Sequence, residues 1–354
     1  MNEVCKFTAV RDISDEPVTL KFTAADNNFR SVKDGNGNVF PAQISADGSS
    51  VIAVISAKKG ETIEFTLSDE DAGWGDMEFV MGESAIGVVI DKKLFTSYVY
   101  DPKFAKPYLG PMFTNSGSSF TRLDFDTREH PHHRSLFLGI GDVNGVDFWN
   151  EPDDKGFQIH RAVTALSSGS AYSSFTAANV WQDSNGVALI DEERTFTLYN
   201  QRGKCRYVDC EITFTANYGD VEFGATKEAG PLGIRVCDTM RVDSGDGVMT
   251  NSYGAVGEKE CWGKSAHWCD YYGSVTTDGK EKCGITVFDN EKNHSYPTTW
   301  HIRDYGLFAP NNFFFRGAVK IRDGKSMTYK YRVIFHEGAL TKEQISDKFI
   351  AYIS

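Results

Sequence analysis

No uninterrupted apolar run in this sequence approaches the roughly 20 residues that a helix needs to cross a bilayer. The opening residues, Met1-Asn2-Glu3-Val4-Cys5-Lys6-Phe7, lack the basic and apolar regions of a secretory leader, which predicts a cytoplasmic protein. Signature loops are missing too. The chain has no GxGxxG, P-loop, GxSxG or HExxH, so nothing supports a Rossmann, NTPase, serine hydrolase or zincin reading. Cysteine is sparse and unpatterned: seven residues, an odd number, with no CxxC pair, which predicts reduced, buried thiols. Cys205 and Cys210 are five positions apart, so on one strand they face opposite sides of the sheet. Positive charge is in deficit, 37 basic residues against 49 acidic, for a net charge of -12. A field of that sign repels phosphate backbones and anionic head groups, which argues against nucleic acid and membrane partners. No repeat of fixed period appears, which excludes a propeller or solenoid.

What the chain has is aromatic rings: 25 Phe, 15 Tyr and 6 Trp, or 13% of 354 residues. Aromatics favour strands and also line sugar-binding clefts. Strand-like segments with alternating apolar and polar residues recur, among them Thr62–Leu67, Tyr207–Phe214 and Thr328–Phe335. Turn signals separate them: Asp34-Gly35-Asn36-Gly37, Ser184-Asn185-Gly186, Ser244-Gly245-Asp246-Gly247 and Asp278-Gly279. One helix is expected, at the C-terminal end. Thr341 and Gln344 have capping-box spacing, Leu340 and Ile345 suit a hydrophobic staple, and Ile345, Phe349 and Ile353 form one apolar stripe. Asp, Glu and Gly crowd between Ser68 and Gly82. This predicts a small N-terminal β-sandwich over 1–82 and a large antiparallel β-sandwich over 83–354 that carries the site, since all histidines lie there.

Four polar clusters stand out. The first is Glu129-His130-Pro131-His132-His133-Arg134, running into Asp142-Val143-Asn144 and Trp149. In an extended chain His130 and His132 share a face and His133 points away. Imidazoles so placed suit proton transfer on a sugar or a divalent metal at His130, His132 and His133. The second, Lys227-Glu228 with Arg235, brings charge into a strand that reads as buried, where charges need partners. The third offers Trp262 and Trp268 as flat faces for a sugar ring, or equally as core. The fourth, Trp300-His301-Ile302-Arg303-Asp304-Tyr305, places His301, Arg303 and Tyr305 on one strand face. Isolated buried charges are costly, so the first and fourth clusters are expected to meet at one cleft.

These clusters resemble the PmoA-like family, the DUF6807 type, of bacterial proteins linked to carbohydrate metabolism. The resemblance is carried by Lys106-Pro107-Tyr108, Thr121-Arg122, His130-Pro131-His132-His133-Arg134 through Trp149, Glu192-Glu193-Arg194-Thr195, Thr226-Lys227-Glu228, Gly233-Ile234-Arg235, Trp262-Gly263-Lys264 and Thr298 to Ala309. Phe137-Leu138 departs from the second aromatic that the family more often has after the HHR string. A methane monooxygenase subunit, to which the name refers, would need membrane-spanning helices that this chain lacks. The resemblance implies a galactose-mutarotase-like supersandwich and an enzyme acting on a sugar or glycoside, such as a 3-keto sugar, by elimination, hydration, epimerisation or hydrolysis. Alternatives are a non-catalytic carbohydrate-binding or regulatory protein and a metal-dependent cupin-like enzyme. The expected proton-transfer and charge-stabilising residues are His130, His132, His133, Arg134, Lys227, Glu228 and His301. Substrate binding is expected from Asp142, Asn144, Trp149, Arg235, Trp262, Trp268, Arg303, Asp304 and Tyr305.

Overall fold

The computed structural model describes residues 3–23, 28–123, 129–151 and 154–353. Alternating apolar and polar residues favour strands with one buried face, and the described strands pair antiparallel throughout.

The first strands are β1 (Val4–Thr8), β2 (Ile13–Leu20), β3 (Ser31–Asp34), β4 (Val39–Ile44), β5 (Val51–Ala57) and β6 (Thr62–Ser68). They form a six-stranded unit paired in the order β1-β6-β3-β4-β5-β2, with β1, β6 and β3 on one side of β4, and β5 and β2 on the other. Its core is its own, built from Leu20, Val32, Val51, Ala53, Ile55 and Phe65. The sheet closes at Ser68. The next strand, β7 (Glu78–Met81), pairs with β8 (Ala85–Ile90).

The chain continues through β9 (Lys93–Val99), β10 (Tyr108–Leu109), β11 (Leu136–Ile140), β12 (Phe157–Ser167), β13 (Tyr172–Gln182), β14 (Ala188–Tyr199), β15 (Cys205–Thr215), β16 (Val221–Phe223) and β17 (Ala229–Arg235). Then come β18 (Val248–Asn251), the one-turn α1 (Glu258–Cys261), β19 (Trp268–Ser274), β20 (Lys282–Asp289), β21 (Thr299–Ile302), β22 (Leu307–Asn311), β23 (Val319–Ile321), β24 (Ser326–Glu337) and α2 (Lys342–Ile353). One eight-stranded sheet runs β21-β22-β17-β11-β10-β9-β8-β7 and a second runs β12-β13-β14-β15-β24-β20-β19-β18. They share one core. The first sheet contributes Ile86, Val88, Leu136, Leu138, Leu232, Ile234 and Phe308, and the second Phe175, Phe196, Val208, Cys210, Ile285, Val333 and Phe335. Burying each such side chain is worth about 1.5–3 kcal/mol.

The outer face of the second sheet is covered by α2 and the N-terminal sheet. Val54, Tyr172, Tyr207, Trp268, Phe288, Ile345 and Phe349 cluster there. The predicted capping box forms: Gln344 N donates to Thr341 Oγ1 at 3.2 Å, and Thr341 N to Gln344 Oε1 at 2.9 Å. Cys210 lies in the shared core and Cys205 packs with the α2 cluster, on opposite sides of β15. All seven cysteines are free thiols. The outer face of the first sheet is left for the site.

Candidate active site

Strand alternation builds the floor of the site. On β11, Leu136, Leu138 and Ile140 enter the core, so Phe137 and Gly139 face outward. On β17, Gly233 and Arg235 face outward; on β21, His301 does; on β22, Leu307 and Ala309 do. The glycines matter because of what they omit. A Cβ on Gly233 would stand 2.8 Å from the Phe137 ring, and one on Gly139 would stand 3.1 Å from the Trp149 ring. Their absence lets Tyr108, Phe137, Trp149, Leu307 and Ala309 pack as an apolar patch.

Onto this floor the His130–Arg134 loop folds. His130 has φ 48°, and His133 N donates to His130 O at 3.0 Å, so the segment turns instead of extending. The expected separation of His133 from its neighbours therefore fails: all three rings touch. His133 lies parallel to His130 (4.9 Å between centroids) and to Phe137 (5.4 Å), with His132 edge-on at 4.3 Å and Trp149 at 5.4 Å. His130 stacks on Tyr305 at 4.7 Å, and Trp149 stacks on His301 at 5.9 Å. The loop and the β21 strand, far apart in sequence, thus share one site.

Charged side chains ring the histidines. Arg235, 0% exposed, lies over the Tyr305 ring at 4.8 Å and directs Nη1 to His133 Nδ1 at 3.3 Å. Arg241 holds Glu129 Oε2 at 2.7 Å, and Arg122 holds Asp238 at 3.1 Å. On the other side, Glu151 Oε1 takes Arg134 at 2.7 Å and the buried Lys106 at 3.2 Å, while Arg134 stacks on Phe104. Glu258 of α1 steadies the β21–β22 turn through Arg303 at 3.1 Å and the Asp304 amide at 2.7 Å.

This setting keeps the imidazoles neutral. Burial, then the cations Lys106 and Arg134, push His132 down to about 3. Burial, with Arg303 and Lys227 beside it, lowers His301 to about 4, against a hydrogen bond to the Lys227 backbone. His133 falls well below its ordinary value through burial, His132 and Arg235. His130 is lowered by burial and Arg235, with Glu129 opposing. His132 Nε2, His133 Nε2 and His301 Nδ1 are buried and make no hydrogen bond within the described residues. His132 Nε2 and His301 Nδ1 can therefore accept a proton or hydrogen bond from a bound molecule, whereas neutral His133, whose Nδ1 accepts from Arg235, presents Nε2 as an N–H donor. Among the described residues no three His, Cys, Asp or Glu side chains come together in a metal-ligating arrangement.

Several expected residues lie elsewhere. Trp268, 1% exposed, belongs to the core under α2, because β19 is in the other sheet. Asp142 and Asn144 shape a turn: Asp142 Oδ1 accepts the Gly145 amide at 2.7 Å, and Asn144 bridges to Asp220 and Glu222. Trp262 packs edge-on to Phe315 at 5.3 Å, outside the histidine cluster. Lys227 and Glu228 pair with each other at 3.2 Å on the half-exposed rim beside His301, and Asp304 sits in the β21–β22 turn, its carbonyl accepting the Val242 amide at 2.9 Å. Sequence reasoning missed Lys106, Arg122, Glu129, Glu151 and Arg241 as site residues. Glu129 directly precedes the histidine string, and Lys106 and Arg122 fall within the family-like stretches; Glu151 and Arg241 carry no sequence signal.

The profile of DUF6807, described as a family of unknown function, matches residues 85–350. No curated protein matches the sequence. Among solved structures, a GH36 α-galactosidase from Geobacillus stearothermophilus in complex with raffinose superposes with a TM-score of 0.36 and 11% identity, covering 78% of this chain and 42% of that one. A polysaccharide lyase gives 0.34 and 10%, over 79% and 35%. Galactose 1-epimerase from Lactobacillus acidophilus gives 0.31 and 9%, over 74% and 99%. This chain spans less than half the length of the first two. At such scores the activities of these enzymes do not transfer.

Proposed function

This chain belongs to the DUF6807 family, and we propose that it is an enzyme acting on a sugar or glycoside by acid–base chemistry. The observation that carries the reading is the set of buried, neutral histidines whose open nitrogens stand beside Arg235 and an aromatic floor. Aromatic faces framed by fixed polar groups suit a sugar ring, and what the resemblance to the PmoA-like family implies points the same way. In the reaction we favour, a 3-keto sugar gives up the proton on the carbon next to its carbonyl. The His301 imidazole takes that proton, and the electron pair moves onto the carbonyl oxygen as an enolate. Arg235, with Arg134 and Lys227, stabilises the oxygen's charge, and Glu228 orients Lys227. Histidines of the 130–133 loop return a proton to the enolate or to a departing group. A base with so low a pKa is weak at rest, but negative charge forming beside it raises its proton affinity.

The test is turnover of keto-sugars and ordinary glycosides by His301→Ala and His132→Ala. General acid–base catalysis contributes about a hundred- to ten-thousand-fold, and losses of that size are expected. Unchanged turnover in both folded variants refutes the assignment. Sugar binding without turnover by the wild type makes the protein a carbohydrate-binding module instead.

A further inference from the structure

Arginine and carboxylate meet in one recurring way in this chain. Arg241 offers Asp243 its Nε at 2.8 Å and its Nη2 at 2.6 Å. Arg332 offers Asp209 the same two atoms at 2.6 and 2.7 Å. Arg194 turns that same edge to Glu192, with Nε 2.7 Å from Oε1 and Nη2 on the other oxygen. The two parallel donors of the Nε–Nη2 edge match the two oxygens of a carboxylate.

On Arg235 that edge is open. Its Nε and Nη2 are buried and make no hydrogen bond within the described residues, although the side chain is 0% exposed. The nearest carboxylate oxygen, Glu129 Oε1, is 3.6 Å from Nη2, and the other Glu129 oxygen is held by Arg241 at 2.7 Å. Leaving donors of a buried cation unmet is costly, so a fold that keeps them open has a use for them.

We propose that the Nε–Nη2 edge of Arg235 is the seat of a substrate carboxylate, so that the sugar taken by this site is an acidic one, a uronic or aldonic acid or a glycoside of one. This rests on the reading of the site as sugar-acting. The seat is rigid: the guanidinium is held over Tyr305 at 4.8 Å and its Nη1 is held by His133. It is also under-neutralised. Burial and the like charges of Arg122 and Arg241 pull Arg235 down to about 10, a strain that an arriving anion relieves. The same anion stabilises protonated imidazole next to it, which gives the weak histidine bases the added basicity that proton abstraction needs.

The experiment is calorimetric titration of the full chain with D-glucuronate and D-galacturonate, each against its neutral parent sugar and against glucose 6-phosphate. A bidentate charged contact should favour the uronate over the neutral sugar by about tenfold to a hundredfold. Arg235→Lys, which keeps charge but loses the fork, should bring the uronate to the neutral sugar's level. Glu129→Gln, at a partly exposed position outside the sheet, removes the rival carboxylate and should tighten uronate binding. Equal affinity for acidic and neutral sugars, or looser uronate binding by Glu129→Gln, overturns the proposal and leaves the sugar reading standing. Tighter binding of the phosphate than of the uronate also overturns it. Binding and turnover of no sugar of any kind removes the sugar reading itself.

Discussion

The neutral state of His301 should be visible as a pH dependence of stability. The imidazole is 5% exposed, and its pKa falls from 6.5 to about 4 on folding. A drop of that size is worth about 3 kcal/mol between the two protonation states, as an upper bound. The folded pKa is depressed, so between the two values the unfolded chain binds the proton and the native one does not. Stability is therefore complete above 6.5 and is lost as pH falls toward about 4. His301→Gln removes the titration while keeping a neutral amide of similar reach. Urea unfolding of both proteins at about pH 7 and about pH 4.5 isolates the effect, because every other titrating group cancels in the double difference. The wild type should lose about 2–3 kcal/mol more than the variant on acidification. An equal loss in both would mean that His301 titrates normally, and would remove the neutral base from the proposed chemistry.

Other perturbations test the frame around the site. Gly233→Ala puts a Cβ 2.8 Å from the Phe137 ring on which His133 rests. A loss of about 1–3 kcal/mol in chemical denaturation, with a parallel drop in turnover, is expected; unaltered values would refute the close-packing argument. Glu192→Gln leaves Arg194, 1% exposed, without its carboxylate inside the sandwich. Breaking a buried pair from one side should cost about 3–5 kcal/mol, and a cost below 1 would contradict it. Thr341→Ala removes one half of the α2 capping box and should lower stability by about 1 kcal/mol in the same assay. No change would show that α2 is held by Ile345 and Phe349 alone.

How much was legible in the sequence follows from the range of each interaction. Period-two alternation is local, so the all-β fold, the inward Trp300 and Ile302 and the outward His301 could be read from neighbours. The capping box of α2 was equally local. The mutual contact of three histidines was not, because it depends on the left-handed backbone of His130 (φ 48°), which turns a segment that reads as extended. Trp262 and Trp268 look alike as residues a sugar might stack on. Only tertiary placement sends Trp268 under α2 and leaves Trp262 beside Phe315.

The sharper distinction between framework and site lies in hydrogen-bond closure, which no sequence pattern states. His336, fully buried, binds Gly338 O through Nδ1 at 2.7 Å and Asp270 through Nε2 at 3.0 Å. His267 likewise uses both nitrogens, on the Tyr296 and Tyr253 hydroxyls at 2.7 and 3.2 Å. Asp289, its carboxyl raised to about 6 by burial, still accepts from Asn290, Asn293 and Thr298. These groups are buried at a cost that their partners offset, as structural polar groups are. His133, His301 and Arg235 are buried at a similar cost, His132 is half-buried, and each keeps nitrogen atoms without a hydrogen bond among the described residues. His336, His267 and Asp289 are thus closed in their networks, whereas the set on the outer face of the first sheet is open. An unmet set that gathers acceptors and a cation around one aromatic floor is what a bound, reacting molecule would complete.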